Sequence, residues 1–332
     1  MSESTPPAAR GHHSAGQHSA GELDLICLGE AMVEFNQDPQ HPTRYSAGFG
    51  GDTSNCAIAA ARIGAKAGYI TQLGDDVFGQ RLMALWRDER VDTAGVRVLP
   101  DAETGVYFVT HGTQGHAFTY RRSNSAASRM SADDAAFAPC LQQVARAGRL
   151  HVSGISQAIS PAARDTVFAA IALARERGVR VSYDLNFRPR LWSVETARPV
   201  VERTVALCDI FLPSIDEVAL LAGTRTPQQA LQWAHDLGAP TVLLKLGAEG
   251  CWVSQRGAAP TQLPPYRVQP VDATGAGDCF AGCLLVRLAA GDDIVGAARA
   301  ANVAAALSTL GLGAVAPLPS WPQVQAALAG AG

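Results

Sequence analysis

The ten residues Val271-Asp272-Ala273-Thr274-Gly275-Ala276-Gly277-Asp278-Cys279-Phe280 decide how this chain is read. Gly275, Ala276 and Gly277 stand where an irregular loop gives way to an apolar run, Cys279-Phe280-Ala281-Gly282-Cys283-Leu284-Leu285, with the character of a helix. Glycine carries no Cβ, so backbone N–H groups can turn toward a ligand there. A helix start adds unpaired donors and the positive end of the helix dipole, which together suit an anion such as a phosphate. A carboxylate repels a phosphate, so Asp278 is out of place unless it works on a hydroxyl. A general base must lie within hydrogen-bond reach of the proton it removes. Donors for a travelling phosphoryl group, beside a base for its acceptor, are the equipment of a kinase. The plainer alternative is a Gly-rich turn with an acidic residue in a first helical turn, where such residues are common.

Outward from this stretch, composition narrows the choices. The chain has 332 residues, 47% of them hydrophobic, enough to bury a large core as one large α/β domain or two smaller ones. A net charge of −3 provides no basic field for nucleic acid or an anionic membrane. No apolar run approaches the ~20 residues that span a bilayer. The seven cysteines include no Cys-x-x-Cys pair. Cys279 and Cys283, one turn apart, are expected to pack as small hydrophobes rather than bind metal. Without a secretory apolar region, the thiols are expected to be reduced and the protein cytoplasmic. Residues 1–22, rich in Ser, Ala, Gly and His with Pro6-Pro7, read as a disordered tail outside the fold, and His12, His13 and His18 as solvated.

The remainder alternates. Leu23–Leu28 reads as a buried strand ending at Gly29-Glu30, and 35–45 as loop and edge strand. Gly48-Phe49-Gly50-Gly51-Asp52-Thr53-Ser54-Asn55 leads into an Ala-rich helix closed by Gly64. A strand over 67–73 and a helix over 78–90 follow. Segments 104–110 and 116–121 alternate around His111–Gly115, a hairpin signal. From Leu150 strands (150–152, 180–184, 210–212, 241–245, 251–254) alternate with helices (161–177, 194–207, 215–222, 227–237). That rhythm predicts an α/β fold, a mainly parallel sheet wrapped on both faces. Ligands of such sheets bind at the carboxyl ends of the strands. There lie Gly29-Glu30, Gly74-Asp75-Asp76, Asp184-Leu185-Asn186, Pro213-Ser214 and Lys245-Leu246-Gly247. No Gly-x-Gly-x-x-Gly follows the first strand, which disfavours a dinucleotide-binding dehydrogenase.

Gly50–Asn55 early and Asp272–Asp278 late, in this order, resemble the paired motifs of the PfkB, or ribokinase-like, carbohydrate kinases. The likeness covers 23–320. It implies a three-layer α/β/α domain with a small β lid (about 30–50 and 104–120), ATP with Mg²⁺, and transfer to a primary alcohol of a sugar-like substrate. Within the family, Phe49–Thr53 and Asp184-Leu185-Asn186-Phe187-Arg188-Pro189-Arg190-Leu191-Trp192 are most similar to 2-keto-3-deoxygluconate kinases. A sugar acid calls for guanidinium partners, and Arg121, Arg122 and Arg188 are the candidates. Fructokinase, or another neutral-sugar kinase of the family, is the alternative. A homodimer through an exposed lid edge is expected.

The resemblance implies Asp278 as base and the N–H groups of Gly275, Ala276 and Gly277 as the holders of the phosphoryl group. Gly51, Asp52 and Asn55 would meet substrate hydroxyls, with Tyr107 and Tyr120 covering them. Asp52 has a second reading as the cap of the following helix. On the ATP side stand Asn186, Lys245, Gly247, Gly250, Thr274 and Asn302. Many members carry Asn-x-x-Glu near the metal, whereas this chain has Ser214-Ile215-Asp216-Glu217, leaving Glu217 as an organiser of Mg²⁺ waters.

Overall fold

The computed structural model describes residues 22–38, 40–112 and 115–330. Of the expected tail only Glu22 falls among them, paired with Arg146 at 2.7 Å. In chain order the elements are Leu25–Leu28 (β1), Met32–Gln37 (β2), Tyr45–Gly50 (β3), Asp52–Arg62 (α1), Ala67–Gly74 (β4) and Val77–Asp88 (α2). Asp92–Leu99 (β5), Val106–Gly112 (β6), Gly115–Arg121 (β7), Ala138–Leu141 (α3), Arg149–Ser153 (β8), Gly154–Ala158 (α4) and Pro161–Glu176 (α5) follow. Then come Arg180–Asp184 (β9), Val194–Val205 (α6), Ile210–Leu212 (β10), Ile215–Ala222 (α7), Pro227–Asp236 (α8) and Thr241–Lys245 (β11). Cys251–Gln255 (β12), Thr261–Leu263 (β13), Ala276–Ala289 (α9), Ile294–Ser308 (α10) and Trp321–Gly330 (α11) complete the described chain.

Nine strands form one sheet in the order β13-β12-β11-β10-β9-β8-β1-β4-β5, antiparallel only at β11–β12 and β12–β13. Both faces are buried, and period-2 alternation shows it. On β1, Leu25 and Cys27 join the core beneath α1, α9 and α10, while Ile26 and Leu28 join the core beneath α5 and α6. A strand covered on both sides reads as a continuous apolar run, which is why β1 and β11 were legible without alternation. All seven cysteines are free and buried.

A separate sheet, β3-β2-β6-β7, is the lid. Its Phe35 and Phe49 pack toward the body core, and its opposite face carries the small cluster of Met32, Tyr107 and Val109. The three layers and the β lid agree with the expected fold.

Four local expectations are corrected. Residues 92–99 showed no element in the sequence, yet they form β5 at the sheet edge. Gly95 interrupts the pattern, and the pairing with β4 shifts register between Gly68 and Ile70. Residues 35–37 belong to β2, an inner strand of its sheet rather than the expected loop and edge strand, because all three pair with β3 and Phe35 and Asn36 also pair with β6. Helix α2 ends two residues before Arg90, which sits at φ 59°. Asp52 does not cap α1: Gly51 holds the cap position without a side-chain bond, and Asp52 lies in the first turn.

Candidate active site

The two glycine motifs meet because their helices touch. A Cβ on Gly282 of α9 would come within 2.6 Å of the Cys56 carbonyl of α1, so only glycine permits this approach. Both helices therefore point their N-termini at one place, beside the carboxyl ends of β8 to β11. Gly51 (φ 119°) and Gly275 (φ 78°) supply the backbone turns that start them, in a region that favours glycine. Asp272 braces the second turn, accepting from Thr274 N–H at 2.9 Å and from Gly313 N–H at 2.9 Å. Across the cleft Asn55 Nδ2 donates to Asp278 Oδ2 at 2.8 Å.

A chain of polar contacts runs on from there. Asp52 Oδ2 accepts from Ser153 Oγ and from Asn186 Nδ2, the latter at 3.0 Å. Its Oδ1 is buried without a partner. Asn186 adopts φ 36°, a left-handed conformation that a short amide side chain tolerates. Its N–H donates to Asp184 Oδ1 at 3.2 Å, and Asp184 Oδ2 accepts from Lys245 Nζ at 2.6 Å. The ammonium lies 3.4 Å from the point a Cβ on Gly277 would occupy.

Burial pushes the Asp278 carboxyl well above the usual range, and Asp52 and Asp184 add to it, against the Asn55 amide and Lys245. Burial pulls Lys245 down, but Asp184, Glu217 and Asp278 outweigh it and leave the ammonium above its ordinary value. Glu217 is raised by burial, with Lys245 opposing and Asp184 reinforcing. The Ser at 214 has a local physical account. It forms a capping box, Ser214 N–H donating to Glu217 Oε2 at 2.8 Å, and Glu217 Oε1 faces Arg188 at 3.8 Å.

On the lid, Tyr107 donates to Glu34 Oε2 at 2.5 Å, and Tyr120, partly exposed, lies beside the Tyr107 ring at 5.7 Å. Burial raises Glu34, with Tyr107 and Asn36 opposing. Arg121 is exposed at the end of β7. Arg122 is turned inward and paired with the buried Glu30, which also accepts from Ser125 Oγ at 2.5 Å. Arg188 is half-exposed. The three expected guanidinium groups thus occupy three different settings.

Gly247 and Gly250, both at positive φ, bound the short turn between β11 and β12. Asn302 donates to the Pro264 carbonyl at 3.3 Å rather than into the carboxylate cluster. Sequence reasoning noted Glu30 and Asp184 as strand-end residues but assigned them no role, and it passed over Glu34 and Ser153. For Asp184 and Ser153 the available signal was their place at the carboxyl ends of adjacent parallel strands. Glu34 needed the β2–β6 register, which sets it opposite Tyr107.

Known proteins resemble this chain in sequence and in fold. The pfkB family carbohydrate kinase profile matches residues 22–321. A 2-dehydro-3-deoxygluconokinase from Dickeya dadantii is 33% identical over 90% of this chain and 98% of its own. Fructokinase-1 from Zea mays is 32% identical over 92% and 98%. Among solved structures, a candidate ribokinase II from Escherichia coli in complex with ATP and Mg²⁺ superposes with a TM-score of 0.83 at 26% identity, covering 92% and 99%. A shared fold, paired glycine motifs and an acidic residue at the second helix start all converge: this chain belongs to the pfkB family of carbohydrate kinases.

Proposed function

We propose that the protein transfers the γ-phosphoryl group of ATP to the terminal hydroxyl of 2-dehydro-3-deoxy-D-gluconate, giving the 6-phosphate. One observation carries the reading: the 2.8 Å bond between Asn55 and Asp278, which unites the acceptor motif with the base. Asp278 takes the hydroxyl proton, and the freed oxygen bonds to phosphorus as ADP departs. Backbone N–H groups of Gly275 and Gly277 hold the charge that develops on the phosphoryl oxygens, while that of Ala276 donates to the Ala273 carbonyl at 3.2 Å and closes the turn. Gly51, Asp52 and Asn55 orient the acceptor, and lid closure excludes water. A base whose carboxyl is pushed upward is a stronger proton acceptor once ionised, so the partly buried setting of Asp278 serves the step.

Mg²⁺, when bound, neutralises charge on the nucleotide phosphates. The residues fit it as water-mediated partners. Glu217 and Asp184 offer oxygen, the donor a hard cation selects, but both already hold protein partners. Among the described residues no three such side chains converge on one point, so they would engage the ion's waters rather than enclose it.

Sugar-acid recognition rests on Arg121, Arg122 and Arg188 and on the gluconokinase relatives. A neutral ketohexose is the second reading, favoured by the Glu30 pair that already occupies Arg122 and by the fructokinase relative. A coupled ADP-release screen decides between them. The acid should be turned over with a kcat/KM at least about tenfold above fructose, a gap of about 1.4 kcal/mol in transition-state binding. A preference for fructose ends the acid assignment. A homodimer through the lid would use its open edge strands, β3 or β7, and seven free thiols suit a cytoplasmic setting.

A further inference from the structure

We infer that Asp184 is a positioning residue for phosphoryl transfer: it draws the Lys245 ammonium sideways across the sheet and parks it at the 275–277 turn. The inference rests on the kinase reading above.

Lys245 ends β11 and Asp184 ends β9, with β10 between them. Two inter-strand steps amount to about 10 Å at the backbone, a span that needs most of a lysine stem. A lysine at a strand end ordinarily extends its head toward water. Here the head instead reaches Asp184 Oδ2 at 2.6 Å. The destination is specific. Nζ lies 3.4 Å from the point a Cβ on Gly277 would occupy, in contact distance of the turn. Asp184 cannot follow a departing lysine, because its other oxygen accepts the Asn186 N–H, and Asn186 is itself tied to Asp52. The result is a fixed carboxylate holding a cation at the entrance to a row of backbone donors.

An ammonium carries three protons, and one of them goes to Asp184. The others can meet phosphoryl oxygens as the group passes. Lys245 also stands between Asp184 and the arriving phosphoryl charge, so the carboxylate that positions it does not repel the substrate.

A double-mutant cycle read by calorimetric binding of Mg²⁺ with a β,γ-imido ATP analogue tests this without any acceptor. Lys245→Met should weaken analogue binding about tenfold, the effect of one lost charged contact. Asp184→Asn should weaken it about fivefold, and the double variant should be no weaker than Lys245→Met alone, because both changes remove the same interaction. With whichever acceptor the screen selects, Asp184→Asn should lower kcat while leaving the acceptor KM within about twofold, the split expected of a contact made to the phosphoryl group. Multiplicative effects in the double variant would overturn the inference, as would unchanged affinity in Asp184→Asn. Should Asp184→Asn not fold, Lys245→Met carries the test alone, and unchanged affinity there overturns it. A wild type that binds no analogue fails the kinase reading itself; one that binds it equally well in every variant fails only this inference.

Discussion

The two walls of the cleft are built differently. The body wall stands on the carboxyl ends of a nine-stranded sheet with a large core on each face. The lid wall is a four-stranded sheet with only a small cluster of its own, Met32, Tyr107 and Val109, with Phe118 against it. Groups that must hold a proton or a phosphoryl group to within a fraction of an ångström sit on the body. The tyrosines proposed to cover the acceptor, Tyr107 and Tyr120, sit on the thinner sheet, while Asn55 and Arg188, proposed to orient and sort it, stand on the body. On the proposed reading the chemistry and most acceptor contacts stand on the body, and the lid supplies the cover.

The sharpest way to break that division is Asp278→Asn. It should lower kcat about a thousandfold, the scale of a lost general base, with ATP-analogue affinity nearly unchanged. Comparable turnover in a purified variant would remove the base from Asp278 and the chemistry from the body wall.

Next in size is a contrast between two arginines. Arg122→Ala strands the buried Glu30 carboxylate and should cost about 3 kcal/mol in a denaturant melt. Arg188, half-exposed, should leave the melt within about 0.5 kcal/mol when replaced by Ala, and raise the acceptor KM instead. Equal melts for the two variants would erase the distinction between an arginine that holds the fold and one proposed to meet substrate.

The smallest effect is a pH displacement. Asp52 is among the charges that lift Asp278, after burial itself, so Asp52→Asn should move the acid limb of kcat/KM to lower pH. Linkage fixes the companion sign for stability. Asp278 is raised in the folded state, so its stabilising contribution is complete below the unfolded pKa and is lost as pH rises through the folded one. Asp278→Asn should therefore gain melting temperature over wild type at pH 8 and lose that gain near pH 4. The same difference at both values would mean the carboxyl is not raised.

Much of this was readable from residue order. Helix starts announced themselves, as did parallel strands buried on both faces, and the strand bounds 180–184, 210–212 and 241–245 were recovered as observed. Strand β5 was not, because an edge strand covered on one side, with a central Gly95, carries little apolar signal. At the site, Asp278 and Asn55 were legible as motif members. That Asp52 bonds Ser153 and Asn186 instead of capping its helix was not, since all three come from different strand ends. Arg122 shows the same limit: its sequence neighbours mark a basic strand end, while its partner Glu30 lies more than ninety residues earlier.

Local physical chemistry was enough to determine the βα alternation, the two glycine turns at helix starts and the residue types needed for phosphoryl transfer, because each depends on neighbours within a few positions. Only the folded chain decided which carboxylate faces which cation. Those pairings span strand order and helix approach, such as the contact that Gly282 allows between α1 and α9. Energies of such pairs depend on distances between atoms that the linear order leaves free.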